Sequence, residues 1–233
     1  MAQARHRAAG PASRPAPAGG RVIEGIVPAG VRTSAVYDDP PGAVLFPEEE
    51  PVVARAVDKR RREFTTVRWC AREALAGLGM PPVPITRGER GAPRWPDGVV
   101  GSMTHCDGYR AAAVARSGDV AALGIDAEPH GPLPDGVLEA IAREEELPLL
   151  EELGRASPDV HWDRLLFCAK EAVYKAWFPV ARRWLGFEDA TLVLDPGGTF
   201  TAEILVPDPP FRGFTGRWTA GRGLIATAIT VPA

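Results

Sequence analysis

Apolar positions along the chain alternate between short extended runs and two long stretches with helical spacing. The run 22–27 (VIEGIV) is apolar, largely β-branched and closed by Pro28, which predicts a first strand. Glu48, Glu49 and Glu50 then precede Pro51, the acidic residues and early proline that open a helix. Val53, Ala56, Val57, Phe64, Val67, Trp69, Ala71, Leu75 and Leu78 recur at helical spacing across 52–78, and Gly79 with Pro81 and Pro82 stops the pattern. Its polar side carries Arg55, Lys59, Arg60, Arg61, Arg62, Arg68 and Arg72. After a turn-rich run, 99–104 and 111–115 read as strands, and 120–125 is a continuous apolar run expected to be a buried strand with Asp126 at its end. A loop at 129–134 leads to short helices at 137–142 and 149–153. The second long amphipathic stretch, 161–178, buries Leu165, Leu166, Ala169, Ala172, Val173, Ala176 and Trp177 and is expected to end at Pro179. Strands at 189–194, 200–206, 216–219 and 224–231 complete the pattern.

The order strand, long helix, strands, long helix, strands predicts an α/β (α+β) fold of two similar lobes rather than one wound parallel sheet. The hinge falls near Val120, giving an N-terminal lobe at 21–119 and a C-terminal lobe at 120–233. Residues 1–20, rich in Ala, Arg, Pro and Gly, lack an apolar core segment; they read as a disordered tail and not as a signal peptide. The 233 residues suffice for a proper core, and 45% apolar with 24% charged residues is ordinary for a soluble globular protein. A net charge of −3 exerts no global pull on nucleic acid or anionic membrane, so a polyanion site must be a local basic patch. Cys70, Cys106 and Cys168 are far apart and include no CxxC pair, which argues against a disulfide framework or a zinc site and for reduced thiols in the cytoplasm. No run of eighteen apolar residues predicts a membrane span.

Candidate chemistry gathers in two acidic motifs. In Gly124-Ile125-Asp126-Ala127-Glu128, period two puts both carboxylates on one face of an extended segment. Two carboxylates this close repel, and a divalent cation removes that cost; the competing reading is a pair of solvated charges at a strand end. In Phe167-Cys168-Ala169-Lys170-Glu171-Ala172-Val173-Tyr174-Lys175-Ala176, Glu171 and Lys175 share a helix face, as a site would require and as a surface ion pair would too. Asp126, Glu128 and Glu171 together form a candidate set for one hard cation, with Lys170 and Lys175 beside it for phosphate.

The arginine-rich face between Arg55 and Arg72 is either a solvated helix face or the source of two or three phosphate donors. Arg87-Gly88-Glu89-Arg90-Gly91 offers close backbone approach with flanking guanidinium groups, though it lacks the GK[ST] ending of a phosphate-binding Walker loop and alone reads as a turn. A Ser102, His105, Asp126 triad is rejected because no G-x-S-x-G elbow is present. Cys106 beside His105 does not make a nucleophile pair, since neighbours on a strand face opposite ways. His105 reads as a donor to phosphate or as a histidine packed near a strand end.

In order, these motifs resemble those of the 4′-phosphopantetheinyl transferases of the surfactin and enterobactin type, nearest in pattern to the actinobacterial members that serve mycolate and siderophore synthesis. The matching segments are 59–61, 64–72, 88–96, 101–109, 124–128, 162–175 and 183–189, so the resemblance spans about 55–231. It implies two pseudo-symmetric lobes with coenzyme A in the cleft between them and Mg²⁺, with Mn²⁺ as a substitute. It implies transfer of the 4′-phosphopantetheine arm of coenzyme A to a serine of apo acyl or peptidyl carrier proteins, leaving adenosine 3′,5′-bisphosphate. The resemblance assigns the metal to Asp126, Glu128 and Glu171, the base to Glu171 and the transferred phosphate to Lys175. Thr104 and His105 match contacts to the coenzyme A phosphates, and Arg60 and Arg68 match positions near the 3′-phosphate. Arg87, Gly88, Glu89 and Arg90 match a loop around the nucleotide, with Arg87 where a lysine is common. Leu185, within the matching segment 183–189, completes the coenzyme A set. A cytoplasmic monomer with no nucleic-acid or membrane partner is expected. A metal-dependent coenzyme A hydrolase and a non-catalytic carrier-binding module are the alternatives.

Overall fold

A computed structural model describes residues 21–233. The expected tail at 1–20 lies outside the described residues. Two antiparallel sheets form the frame. The first holds β1 (Arg32–Val36), β2 (Val99–Cys106) and β3 (Tyr109–Arg116) in the order β1-β3-β2. The second holds β4 (Val120–Pro129), β5 (Ala190–Asp195), β6 (Thr199–Ile204), β7 (Gly213–Gly221) and β8 (Leu224–Pro232) in the order β4-β8-β7-β6-β5. Helices α1 (Glu50–Val53) and α2 (Asp58–Ala76) precede β2; α3 (Val137–Ile141), α4 (Leu147–Ala156) and α5 (Trp162–Ala181) lie between β4 and β5.

Burial explains the layering. On β3, Ala112 and Val114 face a core with Cys70, Ala71, Ala74 and Leu75 of α2. Tyr109, Ala111, Ala113 and Ala115 face the opposite way and share a second core with Leu123, Ile125 and Ala127 of β4 and Ala226 and Ala228 of β8. The third core lies beyond β4 and β8, where Leu165, Ala169, Ala172, Val173 and Ala176 of α5 meet Ile225 and Ile229. The order is thus α2, first sheet, second sheet, α5. Both faces of β3 are apolar because both are covered.

The edges β2 and β4 run side by side, joined through side chains: Ile125 N–H donates to Ser102 Oγ at 3.0 Å and Ala127 N–H to Thr104 Oγ1 at 3.1 Å. On the other side of β4 lies α5. A Cβ on Gly124 would run into the Ala172 carbonyl and Ala176, so the glycine is what lets the helix settle on the strand.

Several expectations are corrected. The run 22–27 is a 3₁₀ turn, Ile23–Gly25, whose Val22, Ile23 and Ile26 plug the middle core; the first strand is β1, which the pattern did not reveal. The helical stretch 52–78 breaks at Val57, which is extended, and restarts at Asp58. Strand β4 runs on through Asp126 and Glu128, so neither lies past its end. Pro179 sits inside α5, which stops instead at Arg182 in the left-handed region with φ +51°. All three cysteines are free thiols, and among the described residues no helix is long and apolar enough to cross a membrane.

Candidate active site

Because side chains alternate along a strand, Asp126 and Glu128 share the face of β4 that receives α5. Helix α5 presents Arg164, Glu171 and Lys175 to that face at spacings of seven and four, two turns and one. Asp126 is buried. Its Oδ1 accepts hydrogen bonds from Lys175 Nζ at 2.6 Å and Thr104 Oγ1 at 2.9 Å, and its Oδ2 is buried with no hydrogen-bond partner. Glu128 Oε2 accepts from Arg164 Nη1 at 3.2 Å. Burial, then the neighbouring Asp126 charge, push the Glu128 carboxyl up to about 7. The same two causes raise the Glu171 carboxyl. Burial works against the Lys175 ammonium, but Asp126 and Glu171 outweigh it and hold it charged.

Opposite these acids is a basic wall. Arg60, Arg68, Arg87, Arg90 and His105 line, with Glu171 and Lys175, a cleft of about 260 Å³. Arg68 is fixed by an Nε hydrogen bond to the Ile85 carbonyl at 3.0 Å and lies over the Phe64 ring. Its burial, offset in part by Glu49 and reinforced by Arg87, Arg60 and Arg72, lowers its pKa to about 9. His105 Nε2 is 2.5 Å from Arg60 Nη1, and Nδ1 is 3.6 Å from Glu63 Oε2. Burial first, then the Arg60 charge, push its pKa down to about 4. The imidazole is therefore neutral at pH 7, accepting from Arg60 at Nε2 with its proton on Nδ1.

Two further cavities adjoin this cleft. One, of about 210 Å³, is lined by Glu171, Tyr174, Trp184, Leu185 and Phe187. The other, of about 280 Å³, is lined by Thr104, His105, Asp126, Glu128, Glu171 and Lys175. Glu171 borders all three, and Lys175 borders two. Gly88 and Glu89 sit in the turn beside Arg90 and line none of these three cavities.

The acids do not form a ready-made cage. Among the described residues no group of three or more His, Cys, Asp or Glu side chains is assembled to hold a metal ion. Lys175 occupies one oxygen of Asp126 and Arg164 one oxygen of Glu128, so both acids already carry a cationic partner. The donors still suit a hard divalent cation. They are all carboxylate oxygens, Asp126 Oδ2 is orphaned in the interior, and burial with the Asp126 charge raises the Glu128 pKa to about 7 despite Arg164, a cost that a bound cation would relieve.

Lys170 is corrected outright. Its three ammonium donors are spent on Glu146 Oε2 at 2.9 Å and on the carbonyls of Phe187 at 2.9 Å and Ala190 at 3.1 Å, in a buried pair away from the phosphate-side lysine. Arg164 and Glu63, partners of Glu128 and His105, were not singled out from the sequence. Arg164 lies seven residues before Glu171, a helical spacing that marks it as a neighbour of the acids.

Comparison with known proteins bears on this arrangement. Residues 48–115 match the family model described as 4′-phosphopantetheinyl transferase N-terminal domain, and 122–228 match that of the 4′-phosphopantetheinyl transferase superfamily. The chain is 56% identical to the 4′-phosphopantetheinyl transferase Svp of Streptomyces mobaraensis, over 91% of this chain and 90% of that protein. It is 49% identical to the 4′-phosphopantetheinyl transferase PptT of Mycobacterium tuberculosis, over 91% of this chain and 99% of that protein. It is 51% identical to the 4′-phosphopantetheinyl transferase Npt of Nocardia iowensis, over 89% and 99%.

Proposed function

The chain belongs to the 4′-phosphopantetheinyl transferase family, and from that membership we propose a Mg²⁺-assisted transfer, with Mn²⁺ as substitute, of the phosphopantetheine arm of coenzyme A to a serine of apo carrier proteins. The observation that carries this reading is Glu171. It stands where a basic cleft, a carboxylate-lined cavity and a partly aromatic cavity meet. Coenzyme A has matching parts: a phosphorylated nucleoside, a pyrophosphate and an uncharged arm.

In this reading Arg60, Arg68, Arg87 and Arg90 receive the nucleotide phosphates, bidentately where geometry allows. His105, neutral and tied to Arg60, orients that guanidinium. The loop 87–90, with Gly88 and Glu89, wraps the nucleotide, and Leu185 borders the arm. Asp126, Glu128 and Glu171 would hold the cation, which supplies charge neutralisation at the pyrophosphate oxygens. Glu171 takes the proton of the carrier serine; its raised pKa makes it a stronger base than an exposed glutamate. The serine oxygen then bonds to the phosphorus that bears the arm. The bond from that phosphorus to the bridging oxygen breaks, and adenosine 3′,5′-bisphosphate leaves. Lys175 stabilises the charge that gathers on that oxygen.

We further propose that 21–119 and 120–233 act as the two lobes flanking coenzyme A, and that the protein is a cytoplasmic monomer. Fatty-acid, polyketide and peptide carriers are the expected acceptors, in lipid, polyketide and nonribosomal peptide synthesis. Mass spectrometry of an apo carrier incubated with coenzyme A, with Mg²⁺ or with EDTA, tests the reading. A gain of the arm's mass on the serine only when Mg²⁺ is present is expected. Consumed coenzyme A with an unmodified carrier would instead mean hydrolysis. Binding of both without change would mean a carrier-binding module.

A further inference from the structure

Thr104 occupies a position that the transfer reading leaves unexplained. Its side chain is buried, 3% exposed, at the seam where β2 and β4 meet without a shared backbone ladder. Its hydroxyl oxygen accepts the Ala127 N–H at 3.1 Å, and its single proton goes to Asp126 Oδ1 at 2.9 Å. The same Oδ1 takes Lys175 Nζ at 2.6 Å. One oxygen of Asp126 therefore carries two donors while the other, which is buried, carries none. A hydroxyl has one proton, so a Thr104 that gives it to Asp126 has none for a ligand phosphate.

We propose that Thr104 is a positioning residue for the cation site: its hydroxyl, aligned by the Ala127 N–H, locks the Asp126 carboxylate so that Oδ2 is presented to the metal. This rests on the metal reading above and differs from a direct contact between Thr104 and coenzyme A phosphate. The backbone N–H matters because it fixes the direction of the hydroxyl proton. With that N–H taking up a lone pair of the oxygen, the hydroxyl is left to donate its one proton, and it donates it to Asp126 Oδ1. Outer-shell hydrogen bonds to ligating carboxylates set ligand orientation, and losing one costs about 10–100-fold in metal affinity.

Ser102 supplies an internal control. Its hydroxyl joins the same seam, receiving Ile125 N–H at 3.0 Å, and makes no hydrogen bond to Asp126. The full chain, as wild type, Thr104→Val, Thr104→Ser and Ser102→Ala, is titrated with Mn²⁺ alone, and free Mn²⁺ is read by electron paramagnetic resonance. Thermal unfolding in EDTA reports the fold of each variant. Thr104→Val, which keeps the shape and loses the hydroxyl, is expected to bind Mn²⁺ about tenfold more weakly or worse. Thr104→Ser should stay within about threefold of wild type, as rescue by the retained hydroxyl. Ser102→Ala should lower the melting temperature while leaving Mn²⁺ affinity near wild type. In transfer assays, Thr104→Val should need proportionately more Mg²⁺ for half-maximal rate. A folded Thr104→Val with wild-type Mn²⁺ affinity overturns the proposal. So does equal weakening in Thr104→Val and Ser102→Ala, which would trace the effect to the seam. If wild type itself binds no Mn²⁺, the metal reading falls and this inference with it. Transfer that survives EDTA would overturn both by an independent route.

Discussion

Helices α2 and α5 are nearly equal in length, 19 and 20 residues, and each covers one sheet, yet they bring opposite chemistry to the same cleft. Helix α2 carries six cationic side chains, of which only Arg60 and Arg68 line the cleft. Helix α5 is mostly apolar, and its few charges sort into three destinations, the first being Asp163, which accepts the Leu133 N–H at 2.7 Å. Arg164, Glu171 and Lys175 turn toward the carboxylates of β4, whereas Lys170 turns into a buried pair with Glu146. The contrast teaches that charge density on a helix is a poor guide to function. A few charges on an apolar helix are costly to bury, so each has to have an assigned partner.

The largest effect should come from the α5 side. Asp126→Ala and Glu171→Ala remove groups worth several kcal/mol to charge neutralisation or proton removal, so transfer should fall by about 10³-fold or more. Both proteins should remain folded by circular dichroism. Near-normal carrier modification by either would break the assignment of the acids. Next, Lys170→Met and Lys175→Met separate two lysines five residues apart. Removing one partner of a buried pair costs about 3–5 kcal/mol, so Lys170→Met should melt far below wild type. Lys175→Met should lose about 10²-fold in kcat with a smaller thermal shift. Equal melting losses would mean that Lys175, too, is chiefly structural.

How much of this was legible in the sequence follows the same division. The apolar spacing that defined α5 also placed Glu171 and Lys175 on one face, and the i, i+2 spacing of Asp126 and Glu128 placed them together on β4. What the spacing could not report was direction across space. Lys170 and Lys175 look alike in sequence, and only the position of Glu146, arriving from the start of α4, separates them. The run 22–27 has strand composition, but it pairs with no strand; burying Val22, Ile23 and Ile26 in the middle core holds it as a turn. Strand β1, by contrast, reads as Arg-Thr-Ser-Ala-Val, with little apolar signal, and is held by pairing with β3. The junction of Ser102 and Thr104 with β4 is invisible to periodicity, because it joins hydroxyls to backbone across 23 residues of chain.

The α2 side should respond in binding rather than chemistry. Arg60→Ala or Arg68→Ala removes hydrogen bonds to charged phosphate, each worth about 1.5–3 kcal/mol. The coenzyme A KM should rise about 10–100-fold while kcat changes little. Arg68 is also packed over Phe64 and bonded to Ile85, so Arg68→Lys is the cleaner test: it keeps charge, loses the fork and should still weaken binding. A fall in kcat with unchanged KM would place these arginines with the acids and erase the contrast between the helices.

The smallest effect is one of sign. His105 has its pKa pushed down to about 4 from an ordinary value of 6.5, by burial and by Arg60. Above pH 6.5 it is neutral folded or unfolded and contributes no pH dependence. Between pH 6.5 and 4 the unfolded chain takes up a proton that the folded chain refuses, so stability falls as the pH falls. Glu128 runs the other way, raised to about 7 from 4.5 by burial and Asp126. Between pH 7 and 4.5 the folded chain holds the extra proton, so stability rises as the pH falls. In EDTA, thermal unfolding at pH 7.5 and pH 5 should show His105→Gln losing less stability on acidification than wild type. Glu128→Gln should lose more. Mg²⁺ should abolish the Glu128 contribution, because a bound cation removes the reason for its raised pKa, and should leave the His105 contribution in place. Slopes that shift in the same direction in both variants would mean that the two walls of the cleft titrate as one unit.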